Sequence, residues 1–224
     1  MLPDHSSETP VPPHLRTALD RIGPGIYETN AYRVLQIPVR SNRATVARRA
    51  EDIREALSAS LPIPPGPVPI DLHGSHPSIE NVNKALERLL HPEEMLVDAL
   101  FWFWPPVKAP DAGWKALMAD NAVDAESSWN QSALQGDAIA IHNLAVLNHA
   151  QALALERQLE HSEQQRITLD RGWQQAWYWW NKALANDEVW RYLRDRAREL
   201  GCSGPHLTLT VLRKWIPFHL LDIP

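Results

Sequence analysis

Apolar residues recur every three or four positions along most of the chain, and this period predicts an all-α fold. One such stripe, in the first half, is spaced four, three and four residues apart and consists of Val46, Ala50, Ile53 and Leu57. A second stripe with the same period runs over residues 79–90. We expect Ser41 or Asn42 to cap the first of these helices and Ser78 to cap the second, because short polar side chains satisfy the free amides of a first turn.

Proline is distributed unevenly and suggests how the chain is divided. Sixteen of the 19 prolines lie in residues 1–110, and none lies between Pro110 and Pro205. Because an interior proline costs a helix about 3 kcal/mol, the proline-free stretch permits long helices. Six prolines within residues 61–77 predict a loop there. We therefore expect three parts: a mobile, proline-rich leader over 1–26, a compact helical unit over 27–106 and a second helical domain over 111–224.

The second half contains an internal repeat. The motif Trp-x-x-x-Ala-Leu-x-x-Asp occurs twice with an offset of 50 residues, starting at Trp129 and at Trp179. In each copy we expect the tryptophan to pack on a partner helix and the leucine to complete the apolar stripe. The residue before the aspartate would turn the chain, and Asp137 or Asp187 would cap the next helix. The segments predicted as helices are about 112–134, 137–160, 164–185 and 187–200.

Two further segments of this half carry expectations of their own. The stretch after Asp137 is apolar nearly all round, which predicts a central, buried helix. The tail over residues 206–224 alternates leucine and threonine at its start and is interpreted as strand-like or irregular. Its aromatic and aliphatic side chains would need a partner, either within the chain or from a second subunit.

Two resemblances rest on these segments. NAYRVLQIPVRSNRATVARRAEDIREAL (30–57) resembles the opening of a J-domain, and VNKALERLLHPEEMLVDALFWF (82–103) is similar to the third helix and the final short helix of that family. The family's His-Pro-Asp signature is missing: its place is taken by residues 59–61, Ala-Ser-Leu, and we interpret His-Pro-Ser at 76–78 as a helix cap. The repeat resembles the helix junction of tetratricopeptide-like repeats, although its period exceeds their usual length of about 34 residues.

Composition and charge exclude several classes of protein. The formal net charge is −5, whereas dedicated nucleic-acid-binding proteins usually carry a basic surplus. The single cysteine, Cys202, permits neither an intramolecular disulfide nor a cysteine-based zinc site. The chain shows no secretory signal and no uninterrupted apolar run approaching 18 residues, so we expect no membrane span and a cytoplasmic location.

The chemistry-bearing residues form no recognisable catalytic or metal motif. His142 and His149 are seven positions apart without a His-Glu-x-x-His pattern, and the nine glycines form no phosphate-binding cluster. No Gly-x-Ser-x-Gly motif is present either. The sequence therefore predicts a protein that is not an enzyme and has no cofactor or metal, although an enzyme whose site forms only in three dimensions stays an alternative.

The remaining hypothesis is a non-catalytic protein–protein interaction adaptor, or a co-chaperone-like component of a larger assembly. Its partners would be proteins, such as other subunits of the assembly, and the main alternative is a working co-chaperone that recruits a DnaK-type chaperone. Two interpretations are open for each set of candidates: a solvated or a partner-binding face for the arginines, and core packing or a partner surface for the tryptophans. The candidate partner-binding residues are Arg43, Arg48, Arg49, Arg54, Trp173, Trp177, Trp180, Arg191 and Arg194.

Overall fold

The computed structural model describes residue 11 and residues 13–68, 70, 77–107, 111–157, 162–201 and 205–221, the last segment with side chains for 208–220. Within these ranges the fold is all-α, as predicted, with twelve helices and no strand. The first six are α1 (Pro13–Asp20), α2 (Ile26–Thr29), α3 (Ala31–Leu35), α4 (Arg43–Ser58), α5 (Ile79–Arg88) and α6 (Pro92–Leu100). The second six are α7 (Ala112–Met118), α8 (Ala122–Leu134), α9 (Ala138–Arg157), α10 (Glu163–Ala185), α11 (Asp187–Glu199) and α12 (Pro205–Leu221).

Several helices begin at the capping residues that the sequence predicts. Asn42 accepts a hydrogen bond of 2.9 Å from the backbone N–H of Thr45, and Ser78 accepts one of 3.1 Å from Asn81. Asp137 accepts from the amide of Ile139 at 2.8 Å and thereby starts α9. These bonds satisfy backbone donors that have no partner inside the helix, so local side-chain chemistry sets where α4, α5 and α9 begin.

Two details of the repeat differ from the prediction. Asp187 is the first residue of α11, and the cap is Asn186, which accepts from the amide of Glu188 at 2.9 Å. Leu134 does not complete an apolar stripe, because it is 88% exposed at the end of α8. The turn before Asp137 is confirmed, since Gly136 has φ of 85°, a conformation that glycine adopts without steric cost.

The helix predicted over 112–134 is divided. Helix α7 ends at Met118, Asp120 has φ of 57°, and the Asn121 side chain accepts from the amide of Asp124 at 3.1 Å to start α8. An asparagine in that position competes with the helix by offering its own hydrogen bond to the backbone. The two short helices then pack against each other as a hairpin.

The tail is helical, so the expectation of a strand-like or irregular segment is wrong. Buried side chains of α12 recur at helical spacing: Leu209, Leu212, Ile216 and Leu220. The leucine–threonine alternation covers only residues 207–210, whereas the longer apolar pattern has the period of a helix. Helix α12 packs on α1 and α11, so the partner that its apolar face needs is intramolecular.

Part of the predicted leader is also structured. Residues 13–20 form α1, whose Leu15, Ala18 and Leu19 are buried against α6 and α12. The expectation of a mobile leader is therefore wrong for this stretch, while residues 1–10 and 12 lie outside the described residues. The three apolar residues have helical spacing, but the surrounding prolines conceal it in the sequence.

The hydrophobic core is continuous across residue 110, the predicted boundary. Trp104 in the first half donates its backbone N–H to Asn143 at 2.8 Å, and Asn143 donates its side-chain N–H to the Trp104 carbonyl at 3.0 Å. Arg196 of α11 donates to the carbonyl of Ser41 at 3.1 Å. The two halves thus share one buried core, and their division into separate domains stays a prediction.

Helix α9 is buried at the centre of the molecule, as its nearly uniform apolar composition predicts. Among the described residues it is the one helix long and apolar enough to span a membrane, but 67% of that window is buried inside the protein. A core helix of a globular protein passes the same test of length and composition, so the observation is weak evidence for a membrane span.

Candidate functional site

The structure disperses the four candidate arginines of α4. Arg43 and Arg48 are exposed. Arg54 is half-buried, lies 2.8 Å from the carboxylate of Glu51 and donates to Asn83 at 3.4 Å. Only Arg43 and Arg48 therefore remain as a basic surface that a partner could reach.

Arg49 is buried and connects α4 to the proline loop. Its Nε donates to the carbonyl of Leu35 at 3.0 Å, and its Nη2 donates to Gln36 Oε1 at 2.9 Å and to the Pro64 carbonyl at 2.7 Å. Gln36 also accepts from the Gly66 amide at 2.8 Å. The expectation that Arg49 lies on a partner-binding face is wrong, because its donors hold the loop over residues 61–68 against α3 and α4.

The α11 arginines do not join the tryptophans. Arg191 forms an ion pair with Glu188 one turn earlier on the same helix. Arg194 lines a hollow of about 70 Å³ between α11 and α12, together with Trp190, Leu209 and Arg213. None of these residues lines the groove described below.

The three candidate tryptophans lie along α10 at different depths. Trp173 and Trp177 are half-buried, and their rings stack at 5.9 Å with an angle of 24°. Trp180 is only 1% exposed, and its ring lies 5.2 Å from that of Phe101 in the core. Core packing is therefore the role of Trp180, whereas Trp173 and Trp177 are partly accessible and a partner surface stays a prediction for them.

A groove of about 220 Å³ opens between α10 and α12 beside these tryptophans. We call it the aromatic groove, and its lining residues are Trp177, Trp180, Asn181 and Leu184 from α10 with Pro217 and Leu220 from α12. Pro217 has no backbone N–H, so the carbonyl of Arg213 lacks its usual helical donor. The lining side chains are mainly apolar, and the Asn181 amide is the polar one among them.

Exposed aromatic residues and lysines also occur on α10 and α12, the two helices that form the aromatic groove. Tyr178 is 50% exposed and Phe218 is 58% exposed. The ammonium group of Lys182 lies 5.6 Å from the centre of the Tyr178 ring, and that of Lys214 lies 5.3 Å from the centre of the Trp215 ring. Exposed aromatic side chains next to an apolar hollow are typical of a surface that binds a macromolecule.

Two buried histidines on α9 lie beneath this region. The Nε2 atom of His142 lies 2.7 Å from the Leu100 carbonyl oxygen, and its ring stacks on Trp104 at 3.6 Å. Nδ1 of His149 lies 2.9 Å from the Tyr27 hydroxyl oxygen. Burial lowers the pKa of His142 to about 4 and that of His149 to about 3. Both side chains are therefore neutral core residues at pH 7.

A second cavity, of about 400 Å³, lies among α2, α3 and α5 and is lined by charged residues. Its basic lining residues are Arg21, Lys84 and Arg88. Behind them the fully buried Asp98 carboxylate lies 3.6 Å from Arg88 Nε and 3.9 Å from Arg21 Nη1. Burial raises the pKa of Asp98, and the two guanidinium groups act in the opposite direction.

Sequence reasoning missed this charged cavity. Arg21 falls in the segment interpreted as a leader, and Arg88 falls in the expected polar face of a helix. One signal was available, since Asp98 stands between apolar neighbours in a run that ends in four aromatic residues. A carboxylate in such a run needs a buried cationic partner.

Comparison of the chain with protein-family models, with curated proteins and with solved structures found no match. The likeness to J-domains and tetratricopeptide-like repeats therefore stays a resemblance carried by residues of this sequence. The grooves, charges and contacts of this molecule are therefore the observations that bear on its function.

Proposed function

We propose that the protein is a non-catalytic protein–protein interaction adaptor, or a co-chaperone-like component of a larger assembly. Its aromatic groove would bind a segment of a partner protein that places one bulky apolar side chain between α10 and α12. The observation that carries the proposal is the half-buried Trp177, which lines the groove between α10 and α12 and is partly accessible to solvent.

The size of the aromatic groove suits a side chain better than a small molecule. Its volume of about 220 Å³ lies below the range of about 300–1,000 Å³ that is typical of small-molecule pockets. Aromatic anchors in apolar hollows supply much of the binding energy at protein interfaces, where tryptophan, tyrosine and arginine dominate. A helix or an extended segment could present such an anchor.

The charges at the rim indicate the chemistry of the partner. Lys182 directly follows the lining residue Asn181, and Lys214 precedes Pro217 by one helical turn. Asp187, at the start of α11, lies 3.0 Å from Arg213 and pairs with it. Lys182 is exposed on α10 next to a lining residue, so we expect an acidic residue to flank the apolar anchor of the partner.

The exposed arginines of α4 would supply a second contact. Arg43 and Arg48 lie on the solvent face of a helix whose other face packs on α3 and α5. They offer charge without a hollow, so they would affect the rate of association more than the affinity.

A displayed library of short peptides, selected against the full chain, tests the aromatic groove. We expect the selected peptides to contain one bulky apolar residue beside Asp or Glu, and their affinity to be measurable by fluorescence anisotropy. Trp177→Ala should weaken binding at least about tenfold, because removal of an interface hot spot costs about 2 kcal/mol. Lys182→Glu should weaken binding of the same peptides by less.

The matched control is Arg48→Glu, which changes a charge on the exposed face of α4. It should leave peptide affinity unchanged if the peptides occupy only the groove. Selected peptides that bind Trp177→Ala as tightly as the unmodified protein would overturn the assignment, and so would failure to select any peptide.

The alternative of a working co-chaperone has its own test. Residues 59–61 come after α4 and are exposed, with Leu61 62% exposed, but they lack the histidine, proline and aspartate of the J-domain signature. We therefore expect no stimulation when the ATPase rate of a DnaK-type chaperone is measured with the full chain. A stimulated rate would favour the co-chaperone over the adaptor.

A further inference from the structure

Three potential metal ligands converge at the start of α6, away from the aromatic groove. His14 comes from α1, His91 directly precedes α6, and Glu94 lies in the first turn of that helix. One ligand atom from each side chain can be chosen so that all three lie within 4.8 Å of one another. His14 Nδ1 lies 4.0 Å from Glu94 Oε1, and the two imidazole rings stack at 4.4 Å.

The Glu94 carboxylate is oriented by a further residue. Its other oxygen, Oε2, lies 3.3 Å from Nη2 of Arg21, and the Glu94 side chain is only 10% exposed. The guanidinium group therefore occupies one side of the carboxylate and leaves Oε1 directed toward His14. Partners of this kind fix the orientation of metal-ligating side chains in many proteins.

The ligand set has a clear chemical preference. Two imidazole nitrogens and one carboxylate oxygen form a three-residue set typical of Zn²⁺ sites that keep one position for water. Ligand atoms on a tetrahedral zinc ion are about 3.4 Å apart, since each bond is about 2.1 Å. The His14 side chain is 58% exposed, so it can rotate to shorten its distance of 4.0 Å without disturbing the core.

We propose that His14, His91 and Glu94 bind one divalent transition-metal ion, with Zn²⁺ the best match, and so fasten α1 to the start of α6. The sequence pattern did not reveal this set because the two histidines belong to distant segments of the chain. His142 and His149, the histidine pair on α9, are buried and hydrogen-bonded to other groups.

Titration of the metal-free full chain with Co²⁺ tests the site, because tetrahedral cobalt has a visible absorption band. We expect one Co²⁺ bound per chain, its displacement by Zn²⁺ and a higher thermal unfolding midpoint in saturating Zn²⁺. His14→Ala and Glu94→Gln should each weaken Co²⁺ binding at least about tenfold. Loss of a residue that only orients a ligand already weakens metal binding about tenfold or more, and loss of a ligand should cost at least as much.

Two variants serve as controls. His219→Ala removes a histidine of α12 and should leave the cobalt band unchanged. His14→Ala should keep the circular dichroism of the unmodified protein because the side chain is mostly exposed. Cobalt binding that survives in both His14→Ala and His91→Ala would assign the metal to other residues and overturn the proposal, as would absence of a band in the unmodified protein.

Discussion

Helices α4 and α10 each present the polar–apolar pattern of a surface helix, and each places one candidate partner-binding residue in the interior. In α4 that residue is Arg49, which uses its donors to hold the proline loop. In α10 it is Trp180, which contacts the core and also forms part of the groove wall. The difference lies in the neighbouring segment: α12 completes a hollow with α10, whereas Arg49 of α4 is bonded to the proline loop.

A binding hollow therefore requires a second element and cannot be inferred from one amphipathic helix. Arg43 and Arg48, the arginines that remain on the surface of α4, line none of the hollows described above. Trp177 and Trp180 of α10 line a hollow only because Pro217 and Leu220 of α12 form the opposite wall. The contrast can be tested by substitutions on each side.

Trp180→Ala should have the largest effect. The side chain is 1% exposed, and truncation of a buried tryptophan costs about 3–5 kcal/mol of unfolding free energy. Trp177→Ala should cost clearly less because its side chain is half-buried. Urea unfolding of both variants measures the difference. Equal losses of unfolding free energy would show that Trp177 is a core residue whose ring is not available to a partner.

Arg49→Ala should come next, with a loss of about 2–3 kcal/mol. The substitution removes three hydrogen bonds from a charged group and leaves the Leu35 and Pro64 carbonyls without this donor. Arg48→Ala, one position earlier and exposed, is the matched control and should change stability by less than about 0.5 kcal/mol. If both substitutions had the same small effect, Arg49 would not hold the loop.

Acid should lower the free energy of unfolding through the two buried histidines below α10. Because burial lowers the pKa of His142 to about 4 and of His149 to about 3, each is protonated only in the unfolded chain between those values and about pH 6.5. Stability is then fully present above about pH 6.5 and falls by about 1 kcal/mol per pH unit for each histidine as the pH decreases toward 4.

The histidine contribution can be separated from that of the carboxylates. His149→Phe should reduce the slope of unfolding free energy against pH by about 1 kcal/mol per unit between about pH 6 and about pH 4.5. Equilibrium unfolding in urea at several pH values measures both slopes. An unchanged slope would mean that His149 titrates in the folded protein and is accessible to solvent.

Sequence periodicity predicted the helical class, the central position of α9 and the caps at Asn42, Ser78 and Asp137, because these depend on local hydrogen bonds and on apolar spacing. It did not predict which groups the long polar side chains contact. An arginine on the polar face of a helix has the same pattern whether it contacts water or a loop that folds back from elsewhere in the chain. Arg49 illustrates this limit.

The candidate site was predicted only in part for a similar reason. Trp177 and Trp180 were identified from their spacing, but the α12 wall was hidden by a tail that begins with alternating leucine and threonine. The charged cavity was missed because Arg21 and Asp98 come from segments far apart in the sequence. Sites formed by two distant elements need the tertiary structure before their residues can be paired.

The smallest expected effect compares the two leucines of the repeat. Leu134 is 88% exposed at the end of α8, whereas Leu184 lines the aromatic groove. Leu134→Ser should change stability by less than about 0.5 kcal/mol and leave peptide affinity unaltered, since the side chain is largely solvated. Leu184→Ala should cost about 1 kcal/mol, because part of its apolar surface is buried, and should also weaken binding of the selected peptides. Anisotropy titration of both variants with one peptide distinguishes the two positions. If Leu134→Ser weakened binding as much as Leu184→Ala, both copies of the repeat would contact the peptide. Binding would then not be confined to the groove between α10 and α12.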